Sequence, residues 1–223
     1  LATPSCAANE GQTVLAPPPG GTLHLVGIDF LPNTFQASTV IRHRVLVPRG
    51  TVTLDRCSVQ ATDATAMTIQ DATVHLNDCA VAGTGSQLAA NGVVASNSTL
   101  TAVDSAIAGN VTATAMPGEG VRLQASTLHA SSSQVIGGAN SQGTQGTTAV
   151  RADSASQIWL CDSVLIATNQ CPMLLNGASG RIQRCTLLGS AGPCPTPPSG
   201  PMLGVSRLQP QQTGAVFTLR FRG

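Results

Sequence analysis

The stretch TVTLDRCSV, from Thr51 to Val59, constrains the fold more than any other feature, because variants of it recur along the chain. A pattern that returns every few tens of residues is typical of solenoids, in which each copy packs only on its neighbours. The other copies are TLHLVGIDF (22–30), TVHLNDCAV (73–81), TLTAVDSAI (99–107), TLHASSSQV (127–135), QIWLCDSVL (157–165) and the weaker GRIQRCTLL (180–188).

Apolar and polar residues alternate within each copy, with apolar side chains at the second and fourth positions. This alternation has the period of a half-buried β-strand, and no segment sustains the spacing of an amphipathic helix. Cys57 and Cys79 fall in a further inward column, so we expect buried thiols there. From Cys57 onward that column repeats after 22, 26, 28, 30 and 22 residues. Constant strands with connections of variable length predict one coil of a parallel β-solenoid per copy.

Three segments follow from where the repeat begins and ends. Residues 1–21 are predicted to form an N-terminal cap, since the ends of a solenoid expose strand edges that need protection. Residues 22–190 are predicted to form an all-β, parallel β-helix of about seven coils. Residues 191–223 begin with the Pro-rich AGPCPTPPSGP and continue into strand-like sequence, which forms either a cap or the start of a further domain.

The composition argues against several classes of partner. Charged residues make up 9% of the chain, the net charge is +1, and all basic residues are Arg. With one Trp, no Tyr and four Phe, the chain lacks both the basic stripe and the stacking residues of a nucleic-acid-binding protein. No apolar run reaches the length of a transmembrane segment. We expect no cofactor, no nucleic-acid partner and no transmembrane segment.

Seven cysteines favour an oxidising compartment, and the odd number leaves at least one thiol unpaired or linked to another chain. Cys171 and Cys194 are separated by 23 residues, close to the last 22-residue step, so they are predicted to form a disulfide across neighbouring coils. Cys161 and Cys185 are the second candidate pair. Zinc is the rival interpretation of these four clustered cysteines, but no CxxC spacing supports it. We therefore expect an extracellular or cell-surface location and no metal.

The outward positions flanking the first apolar residue of each copy predict one exposed face. It carries Thr22, His24, Thr51, Thr53, Thr73, His75, Thr99, Thr101, Thr127, His129 and Trp159. A β-branched ladder suited to a flat strand explains most of it. Two other interpretations are lateral docking and ice binding, because a Thr-x-Thr array resembles the ice-binding face of some β-solenoid antifreeze proteins. The histidines recur on alternate coils, about 10 Å apart, which is too far to share a metal ion.

Carboxylates at the corner after the first strand offer a candidate catalytic pair. Asp78 and Asp104 are predicted about 5 Å apart on adjacent coils, close to the carboxylate separation of retaining glycosidases. The rival interpretation is an ion-pair ladder, with Arg56 beside Asp78 and Asp162 beside Arg184. We favour the ladder, because charged neighbours on stacked strands normally pair.

The repeat from Thr22 to Leu188 resembles the right-handed parallel β-helix superfamily, which includes pectate lyases, polygalacturonases, phage tailspikes and secreted surface proteins. The sequence RIQ, 181–183, echoes the RIK motif of polygalacturonases, whereas their NTD, DD and GHG motifs are missing. The calcium-binding acidic cluster of pectate lyases is missing too. The resemblance implies a right-handed β-helix and raises the prospect of a polysaccharide partner, without supplying a catalytic site.

These observations lead to one expected function and two alternatives. We expect a secreted or cell-surface structural or adhesive protein that self-associates into filaments or a surface layer. The strand-like segment from Ala215 to Phe221 has no partner in the repeat, so it is expected to add to another copy. The alternatives are a polysaccharide lyase or glycoside hydrolase that uses Asp78 and Asp104, and an ice-binding protein that uses the threonine face.

Overall fold

The computed structural model describes residues 12–31, 43–62, 64–84, 89–110, 117–140, 144–189 and 216–218. These residues form strands and their connections and contain no helix, so none of them belongs to a helix able to cross a membrane. The strands assemble into three sheets of seven, seven and eight strands. The predicted all-β parallel solenoid is therefore confirmed, while its right-handed sense stays a prediction.

Each sheet takes every third strand along the chain, except that the last described strand adds to the third sheet. Sheet A contains β1 (Thr13–Val14), β4 (His43–Val47), β7 (Thr65–Gln70), β10 (Val93–Ser96), β13 (Val121–Gln124), β16 (Val150–Ala152) and β19 (Met173–Leu175). Sheet B contains β2 (Thr22–Val26), β5 (Gly50–Asp55), β8 (Ala72–Asn77), β11 (Thr99–Val103), β14 (Thr127–Ser131), β17 (Gln157–Cys161) and β20 (Ser179–Gln183). Sheet C contains β3 (Asp29–Phe30), β6 (Ser58–Thr62), β9 (Ala80–Thr84), β12 (Ala106–Ala108), β15 (Gln134–Ile136), β18 (Val164–Ile166), β21 (Thr186–Leu188) and β22 (Val216–Thr218).

One strand from each sheet makes one coil, and the coils stack in parallel register. Sheet B consists of the strands that the repeat predicted, but the last copy begins at Ser179, so Gly180 takes the inward position opposite Ile158. Within the described residues, five coils lie between neighbours on both sides, while the first and last coils each have one coil neighbour. The first coil already includes β1, within the stretch predicted as a cap.

The C-terminal strand differs from the prediction. β22 pairs antiparallel with β21, the sheet C strand of the last coil, with Phe217 opposite Leu187. The segment expected to lack a partner is therefore paired within its own chain. A returning strand satisfies the open hydrogen-bonding groups of a sheet edge as well as another copy would.

The inward side chains of the three sheets form one core. Sheet B contributes Val52, Val74, Leu100, Leu128 and Ile158, each at most 1% exposed, as predicted. Sheet C adds Val59, Val81, Ile107, Val135 and Leu165, and sheet A adds Met67, Val93, Val121 and Val150. In the first coil the equivalent residues Leu23 and Leu25 are only partly buried, because no described coil lies beyond them.

The corner between sheets B and C turns at a single residue with left-handed backbone conformation. The residues at this corner have φ between 50° and 52° in six coils, namely Arg56, Asp78, Asp104, Ser132, Asp162 and Arg184, and Gly27 holds the position in the first coil. Asp is one of the few non-glycine residues that tolerate this conformation. The acidic residues of the column are therefore suited to the backbone turn.

The residue after each of these corner positions points inward, and in the middle coils its N–H donates to the equivalent side chain of the next coil. Cys79 N–H donates to Ser105 Oγ at 3.1 Å, and Ser105 N–H donates to Ser133 Oγ at 3.2 Å. Ser133 N–H donates in turn to Ser163 Oγ at 3.2 Å. At the corner between sheets A and B, Ser98, Ser126 and Ser156 form a second ladder of the same kind. The corners thus satisfy buried backbone donors with side-chain oxygens.

The longest connections lie between sheet C and sheet A, at one corner, whereas the connections between sheets B and C each contain two residues. Buried Asn110 organises this corner, because its Oδ1 accepts hydrogen bonds from the backbone N–H of Ala90 and Gly118, at 2.9 and 2.7 Å. The side chain of Asn91 similarly accepts the N–H of Glu119 at 2.8 Å. These bonds fix the backbone around Glu119.

Candidate functional site

The predicted Thr/His face is the outer surface of sheet B. Equivalent residues stack in register from coil to coil, for example Thr99 on Thr127 and Thr101 on His129. The described side chains are half-buried from Thr51 to Thr127 and exposed at Thr22, His24, His129 and Trp159. All eleven predicted residues therefore share one surface, whose role stays a prediction.

Two aromatic rings stack on this face. The centroids of His129 and Trp159 are 6.1 Å apart and their planes differ by 9°. Trp159 is 43% exposed, and a shallow depression of about 320 Å³ beside it is lined by Thr101, Arg181 and Gln183. The register between β14 and β17 brings the two rings together. The aligned repeat copies already place His129 and Trp159 at equivalent positions.

The histidines of the face stay on alternate coils in β2, β8 and β14. Among the described residues, no group of three or more His, Cys, Asp and Glu side chains is arranged to hold a metal ion.

Asp78 and Asp104 are on adjacent coils at the left-handed corner, and both side chains are exposed. An open groove of about 520 Å³ follows this corner from Asp29 to Asp162. Its floor is formed by small residues of sheet C such as Ala80 and Ala106. The groove offers length to an elongated ligand, but the shared backbone turn already accounts for the presence of the acids.

Of the two ion pairs predicted for the ion-pair ladder, Arg56 with Asp78 and Asp162 with Arg184, only the second forms. Arg184 contacts Asp162 with Nη2 2.5 Å from Oδ2, and this side-chain hydrogen bond lowers the pKa of Asp162 to about 2. At the other end, Arg56 approaches Asp55, the last residue of β5, with Nε 3.5 Å from Oδ1. Among the described residues Arg56 forms its ion pair with Asp55, its neighbour in sequence, and not with the predicted Asp78.

The two predicted cysteine pairs have different outcomes. Cys161 and Cys185 are free thiols, so the second candidate disulfide is wrong. Cys185 points into the core at the inward column, whereas Cys161 ends its strand on the outer side and donates to Asp162. Cys171 is disulfide-bonded, but its predicted partner Cys194 lies outside the described residues, so this pairing stays a prediction.

Cys79, Cys161 and Cys185 lack the lowered pKa of an activated nucleophile. Burial is the main cause that raises the pKa of Cys79 and Cys185. The hydrogen bond to Asp162 raises the pKa of Cys161. A thiol becomes reactive when its pKa is lowered, so the opposite shift favours protonated, structural thiols, as expected for Cys79.

A cluster that the sequence did not reveal lies on sheet A. Buried Glu119 forms ion pairs with Arg122, 2.6 Å from Nε to Oε2, and with Arg151, 2.7 Å from Nε to Oε1. The two arginines occupy equivalent positions on β13 and β16. The matching dipeptides Val121-Arg122 and Val150-Arg151 are the signal that would have aligned these strands.

Comparison with known proteins adds no assignment. Neither a family model nor a curated protein matches the chain. The fold class and the geometry of the described residues are therefore the grounds for a functional proposal.

Proposed function

We propose that the chain is a secreted or cell-surface structural module that associates with copies of itself through its first coil. The observation that carries this proposal is the concentration of exposed apolar side chains in that coil. A secreted or surface location is supported by the disulfide-bonded state of Cys171, because disulfides persist in oxidising compartments.

Among the described residues, four of the five exposed large apolar side chains belong to the first coil. Val14 is 37% exposed, Val26 46%, Ile28 40% and Leu31 57%, while the fifth, Trp159, lies on a distant coil. Apolar side chains concentrated on one end of a molecule indicate an interaction surface. Leu23 and Leu25, partly buried against the core, add to the apolar character of this end.

A second copy is the partner that fits this end best. The first coil presents three strand edges, β1, β2 and β3, and each has one described neighbour in its sheet. Open strand edges are satisfied by another strand. At the last coil, β22 already covers the edge of sheet C, so the two ends differ. Contact between two first coils gives a closed pair, whereas contact between a first and a last coil gives a filament.

A structural role accounts for the acidic pair better than catalysis does. Asp78 and Asp104 occupy a left-handed position that Ser132 also occupies in the same column. The requirement at this column is a residue that tolerates the turn, and Asp meets it. The threonine face is interrupted by His24, His75 and His129, which departs from the regular array of an ice-binding surface.

The test compares the molar mass of the full chain with that of the double variant Val26→Asn and Leu31→Gln. Light scattering during gel filtration measures both masses. Val26 points outward, and Asn77 and Asp55 occupy the same column in the next two coils, so Asn suits the position. Leu31 follows Phe30 as Gln60 follows Val59, so Gln suits that position as well.

Val103→Asn is the matched control, because Val103 lies in the same outward column on a middle coil. We expect the parent chain and the control to associate, and the double variant to be monomeric. A mass of two chains identifies a closed pair, and a series of larger masses identifies filaments. A monomeric parent chain at millimolar concentration, or association unchanged in the double variant, contradicts the proposal.

A further inference from the structure

The ion-paired cluster on sheet A carries more positive charge than its buried carboxylate requires. The Glu119 side chain is 4% exposed, and a buried carboxylate needs a paired cation. Either Arg122 or Arg151 alone would supply that cation. Because both arginines are present, the cluster has one excess positive charge.

The carboxylate of Glu119 holds both guanidinium groups in place. Each of its oxygens contacts a different arginine, through Nε in both cases. Glu119 is itself fixed by its backbone, because its N–H donates to Asn91 Oδ1 and its carbonyl accepts the N–H of Gly92 at 3.0 Å. Side chains fixed in this way lose less entropy when they bind a ligand.

The outer edges of the two guanidinium groups remain accessible. The Arg122 and Arg151 side chains are 39% and 44% exposed, and within the described part of the chain Glu119 is the ionic partner of both. The contacts to Glu119 use Nε, so each group retains terminal N–H donors. Arg122 and Arg151 lie in register on adjacent strands, about 4.8 Å apart at the backbone.

The neighbours in the same outward column are apolar. Val94 lies on the coil before Arg122, and Leu174 lies on the coil after Arg151, both half-buried. Apolar neighbours reduce the local access of water and so strengthen charge-assisted hydrogen bonds. The cluster is therefore a cationic pair with apolar residues on both sides along the axis of the solenoid.

We propose that Arg122 and Arg151 form a binding site for one oxyanion, a carboxylate or a sulfate ester, whose oxygens bridge the two guanidinium groups. Guanidinium donors match the oxygen spacing of these groups, and charge-assisted bonds of this type are the strong ones. The site lies on sheet A in the middle coils, away from the first coil. Its function is therefore independent of the self-association proposed above.

The test measures binding of defined oxyanions to the full chain by calorimetry at low ionic strength. The probes are inorganic sulfate and glucuronate as free ions, a heparin-derived hexasaccharide as a carrier of sulfate esters and carboxylates, and a neutral glucose oligosaccharide of the same length. We expect binding of at least one anionic probe and none of the neutral one. Affinity should fall as salt concentration rises, because the interaction is ionic.

Arg122→Gln and Arg151→Gln should each weaken that binding by roughly tenfold, the usual size of one charge-assisted hydrogen-bonding contact. Each single variant leaves Glu119 with one cation, so the fold should persist, and thermal unfolding checks this. Arg122→Lys should lose less affinity than Arg122→Gln, because lysine keeps the positive charge although it lacks the planar pair of donors. Arg56→Gln removes the same charge from an exposed residue elsewhere and should leave affinity unchanged.

The outcomes separate the sources of the oxyanion. Binding of free sulfate or glucuronate identifies a site for small oxyanions, whereas binding of the hexasaccharide alone identifies a site for an acidic glycan. Either result supports the proposal if Arg122→Gln and Arg151→Gln weaken the binding and Arg56→Gln does not. No binding of any anionic probe, or equal losses in Arg122→Gln, Arg151→Gln and Arg56→Gln, overturns it.

Discussion

The guanidinium of Arg184 lies against the carboxylate of Asp162 on the preceding coil, with Nε 2.6 Å from Oδ1 and Nη2 2.5 Å from Oδ2. Nη2 also lies 3.2 Å from Cys161 Sγ, so one cation contacts both residues at the end of β17. The paired oxygens and nitrogens give the bidentate geometry that favours the ionised carboxylate. This contact links the last two coils from outside.

Removal of this contact should change how stability depends on pH. The pKa of Asp162 is lowered to about 2 in the folded chain, first by the Arg184 hydrogen bond, whereas an unfolded Asp has a pKa of about 3.9. Because the pKa is lower in the folded chain than in the unfolded chain, the ionised carboxylate stabilises the fold above about pH 4. This stabilisation is lost as the pH falls towards about 2. We expect Arg184→Gln to be less stable than the parent at pH 7, with the difference vanishing near pH 2.

Both side chains are exposed, so the difference in stability should be small. The NMR chemical shift of the Asp162 carboxyl carbon, followed as a function of pH, is the more sensitive measurement. The titration midpoint of Asp162 should rise towards the ordinary value of an Asp carboxyl in Arg184→Gln. Arg56→Gln is the charge-matched control, because Arg56 contacts Asp55 instead. An unchanged Asp162 midpoint in Arg184→Gln would show that the ion pair does not form in solution.

The inner serine ladder should be sensitive to loss of a single hydroxyl. Ser133 Oγ accepts the N–H of Ser105 at 3.2 Å and donates to Ser131 O at 2.8 Å, in a buried corner. Ser133→Ala leaves that N–H without its acceptor, which should cost about 1–3 kcal/mol in the free energy of unfolding, measured with urea. Ser133→Cys should cost less, because Cys57 and Cys79 occupy the same column.

The comparison of these two variants identifies the cause. A loss in Ser133→Ala that Ser133→Cys largely restores assigns the effect to the bond with Ser105. Equal stability of Ser133→Ala and the parent would mean that water replaces the hydroxyl.

The strands of sheet B could be predicted because each inward residue lies directly on its equivalent in the next coil. Val52 lies on Val74, and Leu54 on Leu76, in the pairing that the aligned copies gave. Alternation with a period of two identifies the buried face, and stacking in register repeats it. A sequence pattern therefore suffices wherever the backbone geometry repeats without insertion.

The Glu119 cluster could not be predicted in the same way. Glu119 lies in the connection of variable length before β13, where no column of the repeat reaches, and its contact with Arg151 crosses to the next coil. The last copy was misaligned by one residue for a related reason, since Gly180 replaces the apolar residue that marks the inward position. Here a Cβ would lie 2.1 Å from Ile158 O, so the backbones approach closely.

Substitutions of the two corner acids separate a backbone role from a chemical one. Asp78→Asn and Asp104→Asn should change stability only modestly, because Asn also tolerates the left-handed conformation at φ 51° and 50°. Asp104→Val should cost about 1–2 kcal/mol or more, because a β-branched side chain clashes in that conformation. Thermal or urea unfolding measures both effects.

The same variants test the enzymatic alternative. If the parent chain cleaves an acidic or neutral polysaccharide at all, neither Asn variant should abolish the cleavage. Loss of cleavage in either one, with the fold intact, would show that Asp78 and Asp104 act chemically and would contradict the structural interpretation.

The last prediction concerns the linkage that closes the final coils. Cys171 is disulfide-bonded, while Cys57, Cys79, Cys161 and Cys185 are free thiols. Cys171 is buried just before β19, and the sequence separation of Cys171 and Cys194 matches about one coil, so we expect these two to be joined. Such a bond would tie the Pro-rich segment to the last coil and restrict the unfolded chain, which should stabilise the fold by about 2–4 kcal/mol.

Peptide mapping without reduction should recover one linked peptide containing both cysteines. The buried thiols of Cys57, Cys79 and Cys185 should be labelled only after denaturation, whereas half-exposed Cys161 should be labelled before it. Cys194→Ser should free Cys171 for labelling and lower the unfolding temperature, whereas Cys185→Ser, in a column that already holds Ser163 one coil earlier, should leave the linkage intact. Recovery of Cys171 linked to Cys6, or of Cys171 and Cys194 as free thiols, would exclude this closure of the last coils.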